Sequence, residues 1–206
     1  MPAMNESAVE QNPVEENFGD EASTRHKLDC LMNHTDAAAN IADASWESRL
    51  AEVWREIDIY EPEAFVARIE SLATELPAAS AIGMFERASA QDSTGRPDLA
   101  VPLYRAALAA GLTGLRRRRA TIQMASSLRN LGDPAAAVSL LSAELHTQSD
   151  ELDGAVRAFL ALALVDVGRE REAVATSLIA LSHYLPRYNR SLVRYANEIT
   201  APLDGG

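Results

Sequence analysis

Three stretches of this sequence have residue types and spacings that chemistry could use. The first is Asp92-Ser93-Thr94-Gly95, a polar, glycine-ended tetrapeptide of the kind that can hold a catalytic aspartate. Peptide hydrolysis by aspartates needs two apposed carboxylates sharing a proton, and D-S-T-G occurs once. Its simpler use is to end one helix and begin another. Ser93 and Thr94 would satisfy loose backbone groups, and Pro97 suits a first helical turn.

The second stretch is His26-x3-Cys30-x3-His34. On a helix these three would share one face, with Asp29 or Asp36 within reach as a further ligand. A structural zinc site wants four fixed ligands, and a lone thiolate falls short, so we read the segment as ordinary and polar. No metal and no cofactor is expected. The third stretch is Arg116-Arg117-Arg118-Arg119, placed where a helix should begin after Gly114. Cations there oppose the helix dipole. Two readings stay open: a solvated turn neutralised by neighbouring acids, or an acceptor for the carboxylate of an acidic peptide. There is no P-loop, no G-x-G-x-x-G after a strand, no H-E-x-x-H and no G-x-S-x-G, so we expect no enzyme.

The chain has 206 residues, 47% apolar but only 5% aromatic, with a formal charge of −11. An alanine- and leucine-rich apolar share suits close helix packing. The acidic balance is a poor footprint for nucleic acid. With Cys30 the lone cysteine no intrachain disulfide forms, and neither a signal-peptide pattern nor an apolar run of membrane-spanning length is present. The expectation is a cytoplasmic protein that binds neither membrane nor nucleic acid.

Residues 1–42 mix acids, Asn, Pro and small residues without a sustained period, and read as an acidic, largely disordered tail. Order begins where Trp46, Leu50, Val53, Trp54 and Ile57 recur along one helical face. Pro62 opens a second helix through Phe65, Val66, Ile69, Leu72 and Leu76, ending at Pro77. Residues 43–78 therefore form a helical hairpin. Beyond it a pattern repeats: Ala88-x6-Gly95-x4-Ala100, Ala125-x6-Gly132-x4-Ala137 and Ala161-x6-Gly168-x4-Ala173. Small residues let antiparallel helices approach to about 8 Å, and glycine takes the left-handed conformation that reverses the chain. One hairpin cannot bury its own apolar face, so neighbours must stack. Pro102 sits inside a predicted helix and removes one of its hydrogen bonds. A last segment, residues 187–200, has an apolar stripe at Tyr188, Leu192, Tyr195 and Ile199, with Arg187, Arg190 and Arg194 along another. It fits a polar-backed capping helix.

The small–glycine–small pattern, with "AVPLYRAAL", "GREREAVATSLIAL" and "ASSLRNLGDPAAAV", resembles the tetratricopeptide repeat, in a bacterial-type variant with 36–37-residue units. The resemblance covers residues 79–186 as three units, with 43–78 as a degenerate fourth. Tyr104 alone keeps the family's aromatic of the second helix, and Glu144 replaces an alanine. The resemblance implies an all-α solenoid of stacked antiparallel hairpins with a C-terminal capping helix. It also implies a role as a protein–protein interaction scaffold whose concave groove is lined by the first helices. Carried over, the groove residues are Phe85, Ser89 and Asp92 in the first unit, and Arg119, Ile122, Ser126, Arg129 and Asn130 in the second. Leu162 and Asp166 come from the third.

Such a groove would seat a peptide with its acidic group at Arg119/Arg129 and apolar anchors at Phe85 and Leu162. The other candidates are a self-associating module, using exposed Trp46/Trp54 or the terminal helix, and a regulator that binds a small molecule.

Overall fold

The computed structural model describes residues 42–147 and 149–201, so the acidic tail and the His26/Cys30/His34 cluster lie outside the described residues. Helix α1 (Ala44–Arg55) starts because the Asp43 carboxylate accepts the Trp46 backbone N–H at 2.8 Å, capping one of the donors a helix start leaves open. It turns Trp46 and Leu50 inward. The apolar period predicts helix as far as Ile57, but α1 stops at Arg55 and Ile57–Ile59 forms a 3₁₀ turn. Glu61, held extended by the proline after it, then leads into α2 (Pro62–Ala73). This helix buries Phe65, Ile69 and Leu72 and ends ahead of Pro77.

The following helices come in pairs: α3 (Ala81–Ser93) with α4 (Pro97–Ala109), α5 (Gly114–Asn130) with α6 (Pro134–Glu144), and α7 (Asp153–Asp166) with α8 (Glu170–Ser182). Helix α9 (Asn189–Thr200) packs on α8. Each helix packs on the next, and the first helices also touch one another, α3 to α5 and α5 to α7. The all-helical solenoid expected from the repeat is what the chain forms. No strand occurs among the described residues.

The marker alanines sit where helices come closest: Ala88, Ala100, Ala125 and Ala137 are wholly buried, and Ala161 and Ala173 nearly so. Apolar packing is continuous along the stack. One core runs from Trp46 through Phe85 and Tyr104 to Leu128, and a second from Ile122 through Leu141 to Leu164. The two meet on α5, which contributes to both. Trp46 and Trp54 are not exposed as the self-association reading requires. Trp46 is buried with its indole N–H donating to the Leu72 carbonyl at 2.8 Å. Trp54 is half-buried, edge-on to Phe65 at 5.0 Å. Pro102 is exposed within an uninterrupted α4.

The three glycine turns are built identically. At the first, Gly95 takes φ +78°, its N–H donates to Asp92 O, and the Arg96 N–H reaches back to Gln91 O at 2.9 Å. Gly132 and Gly168 repeat both bonds, with φ +88° and +73°. The six-residue back-bond is the Schellman closure of a helix C-terminus. Thr94 adds hydroxyl bonds to the carbonyls of Ala90 and Gln91. The D-S-T-G tetrapeptide is thus the last turn of α3 and its reversal.

A side chain at Gly95 would meet open space, so any cost there is purely conformational. A left-handed residue with a side chain costs about 1–2 kcal/mol. Gly95→Val should therefore lower stability by at least that amount in denaturant unfolding. Unfolding at the wild-type denaturant concentration would contradict the turn's role.

Candidate functional site

The arginine run occupies the first turns of α5, and the elements around it supply carboxylates to three of its members. Arg116 forks onto Glu47 of α1, with contacts of 2.8 and 2.6 Å, and its Nε donates to Glu86 of α3 at 2.9 Å. Arg117 donates to Glu144 of α6 at 2.6 Å. Arg118, only 4% exposed, bonds Asp150 at 2.7 Å and Asp153 at 2.6 Å, with Glu144 at 3.4 Å. Arg119 makes no ion pair among the described residues. It is exposed and lies over the Phe85 ring, 5.3 Å from the centroid.

Two of these carboxylates are deep. Glu86 and Glu144 are each 2% exposed, and a buried charge without a partner costs several kcal/mol. Burial lifts the Glu86 carboxyl above the ordinary glutamate value, while Arg116 and the Trp54 indole, donating at 3.0 Å, pull it back down. Glu144 stands where the repeat pattern has an alanine. It is held there by Arg117, Arg118 and the Thr147 hydroxyl at 3.0 Å. Acids do neutralise Arg116–Arg118, as one of the two readings expects, but they come from other elements and the site is partly buried, so these three are not an open anion acceptor. The run ties α1, α3, α6 and the start of α7 to α5.

The face made by α3, α5 and α7 carries the groove residues in mixed surroundings. Phe85 and Ser89 are wholly buried and Ile122 nearly so, which puts them beneath the surface a partner would touch. Asp92 is half-buried and ties three helices: its Oδ1 accepts from Ser127 at 2.7 Å and its Oδ2 from Tyr104 at 3.3 Å. Burial raises its carboxyl pKa, and the two hydroxyl bonds oppose that rise. Arg129 pairs with Asp166 at 2.5 Å, joining α5 to α7. Ser126 is half-buried and Asn130 exposed.

On α7, Leu162 and its neighbour Val165 are exposed at 47% and 50%. Arg119, Asn130, Leu162 and Val165 are what this face offers a partner most openly. Sequence reasoning missed the buried Glu86 and gave Glu144 no partner. The one signal was that both acids break an otherwise small or apolar helix face.

Among the described residues, no three His, Cys, Asp or Glu side chains are grouped to hold a metal ion. No helix there is long and apolar enough to cross a membrane. Compared with known proteins, residues 81–199 match the family model described as tetratrico peptide repeat. No curated protein and no solved structure matches.

The Arg116–Glu86 pair makes a pH-dependent prediction. A carboxyl whose folded pKa is raised contributes stability while protonated, and that contribution is lost as pH rises through the folded value. Removing Arg116 raises the Glu86 carboxyl further. The stability deficit of Arg116→Ala should therefore be small near the ordinary glutamate value of 4.5 and reach about 3 kcal/mol at neutral pH. Glu86→Gln in the same chain should recover part of it. Denaturant unfolding at both pH values checks this, and an equal deficit at both would place the cost elsewhere.

Proposed function

The chain belongs to the tetratricopeptide-repeat family, whose members are generally protein–protein interaction modules, and we propose that it is a scaffold binding a partner along the face of α3, α5 and α7. The observation that carries this reading is the exposure of Leu162 and Val165 on α7 and of Arg119 on α5, two first helices that pack on each other. Apolar side chains half-exposed on a rigid surface are the usual anchors for a peptide. A cation that makes no ion pair among the described residues adds direction. The partner's acidic group would sit at Arg119, with its apolar side chains over Leu162 and Val165.

Arg129 enters less readily, because a ligand carboxylate must displace Asp166 from it. Phe85 contributes through the arginine it supports rather than by contact. Asn130 and Ser126 offer neutral hydrogen bonds between the two anchor points. The chemistry is non-covalent throughout: the hairpins are preformed, so little ordering cost falls on this side of the complex.

The test starts from proteins that co-purify with the full chain from its native cell. Leu162→Asp with Val165→Asp should abolish capture of the true partner. Leu99→Asp, an exposed position on the second helix α4, should leave capture intact. Arg119→Ala should weaken the purified complex by about 1–3 kcal/mol. A partner held equally by the wild type and the α7 double variant would contradict the proposed face.

A further inference from the structure

The two ends of the described stack are opposite in charge. Residues 43–78, which contain α1 and α2, hold nine Asp/Glu against three Arg, a net −6, although Glu47, Glu63 and Glu70 are paired with Arg116, Arg96 and Arg87 of later elements. Residues 183–201, which contain α9, hold three Arg against one Glu, a net +2. The helix-to-helix packing order puts α2 and α9 at opposite ends of that stack. On the acidic end, Glu52, Asp58 and Glu61 are exposed and make no ion pair among the described residues. Ile59 stands among them, 75% exposed. On the basic end, Arg187 and Arg190 are likewise exposed and make no ion pair there. Arg194 has only a long 3.8 Å contact to Glu198.

Aromatic surface accompanies those arginines. Tyr188 is 77% exposed, and Tyr195 lies under the Arg194 guanidinium, 4.7 Å from its ring centroid. Among the described residues, Tyr188 is also the non-glycine residue with a left-handed backbone, φ +71°, a strained conformation for a tyrosine. The turn around it is closed without its ring: the Asn189 side chain donates to the carbonyls of Ser182 and Leu185 at 2.7 and 2.8 Å. Its ring is exposed, with Arg187 before it and Arg190 two residues after it in the sequence. Solenoid ends are where a stack stops burying its faces. Here one end pairs an aliphatic knob with acids, and the other pairs tyrosines with arginines.

We infer that the chain associates head to tail with a second copy of itself, the α9 face of one copy docking on the α1–α2 end of the next. Like ends repel, since tail to tail opposes three arginines to three and head to head opposes two acidic hairpins. The contact is heterologous, so each added copy leaves a free end of each kind and growth stays open. This surface is separate from the face of α3, α5 and α7. Either assignment can fail without the other.

Sedimentation of the full 22.3 kDa chain over a concentration series tests it. The wild type should rise above monomer mass as concentration increases. Arg187→Glu/Arg190→Glu/Arg194→Glu leaves both ends acidic and should stay monomeric. Glu52→Arg/Asp58→Arg/Glu61→Arg brings residues 43–78 from −6 to zero, removing the exposed acids that the arginines would meet, and should also stay monomeric. An equimolar mixture of the two should associate again, because each now carries what the other lacks. The single changes Arg190→Glu and Asp58→Arg should show the same pattern more weakly, with melting temperatures near wild type. The proposal is overturned by a wild type that stays monomeric at every concentration. It is equally overturned by variants that associate like the wild type, or by a mixture that remains monomeric.

Discussion

The ion-pair cluster at the start of α5 is the constraint on which the rest of the stack depends. Three consecutive arginines stand at a helix N-terminus, where each exposed cation is disfavoured by about 0.3–1 kcal/mol. They persist because α1, α3, α6 and the α6–α7 segment bring Glu47, Glu86, Glu144, Asp150 and Asp153 to them. Glu86 and Glu144 are buried and would be costly alone. Each side thus requires the other. Buried pairs of this kind add little net stability compared with apolar packing. Their consequence is geometric: in the observed packing of the hairpins each of these acids meets an arginine of α5.

Apolar packing supplies the bulk of the cohesion and is less selective. Alanines at the crossings let any two such hairpins approach closely, and two cores share α5 without a break. Ala-rich contacts tolerate sliding, whereas a forked Arg116–Glu47 bond does not. The Asp92 carboxylate, bonded to Ser127 and Tyr104, and the Arg129–Asp166 pair extend the same logic along the first helices. The arrangement of the α3, α5 and α7 face is therefore set by polar contacts within it. Among the described residues, what is left open on that face is small: the Arg119 guanidinium, a few amide and hydroxyl groups, and the Leu162 and Val165 side chains.

Much of the architecture was legible in the sequence because it rests on local rules. Gly95, Gly132 and Gly168 recur at fixed offsets, and their backbone conformation follows from glycine alone. The alanines of the crossings recur with them. The ends of α1 and α2 were less legible, since the 3₁₀ turn at Ile57–Ile59 reflects how the chain must reach Pro62. The arginine run was visible, but its meaning was not: Glu47 lies 69 residues from Arg116, and Glu144 lies 27 from Arg117. No periodicity encodes such pairings. The burial of Phe85, Ser89 and Ile122 was hidden for a related reason, because the family's groove positions do not reveal how closely the neighbouring helix covers them.

The central claim is that buried acids and the arginine run are energetically coupled across helices. A double-mutant cycle on Arg117 and Glu144, using Arg117→Met, Glu144→Ala and the double variant in denaturant unfolding, measures that coupling directly. The account predicts an interaction energy of about 1–3 kcal/mol, with the double variant more stable than the sum of the singles allows. Single effects that add to within about 0.5 kcal/mol would contradict it, and would reduce the cluster to surface charge on a stack held by apolar contacts alone.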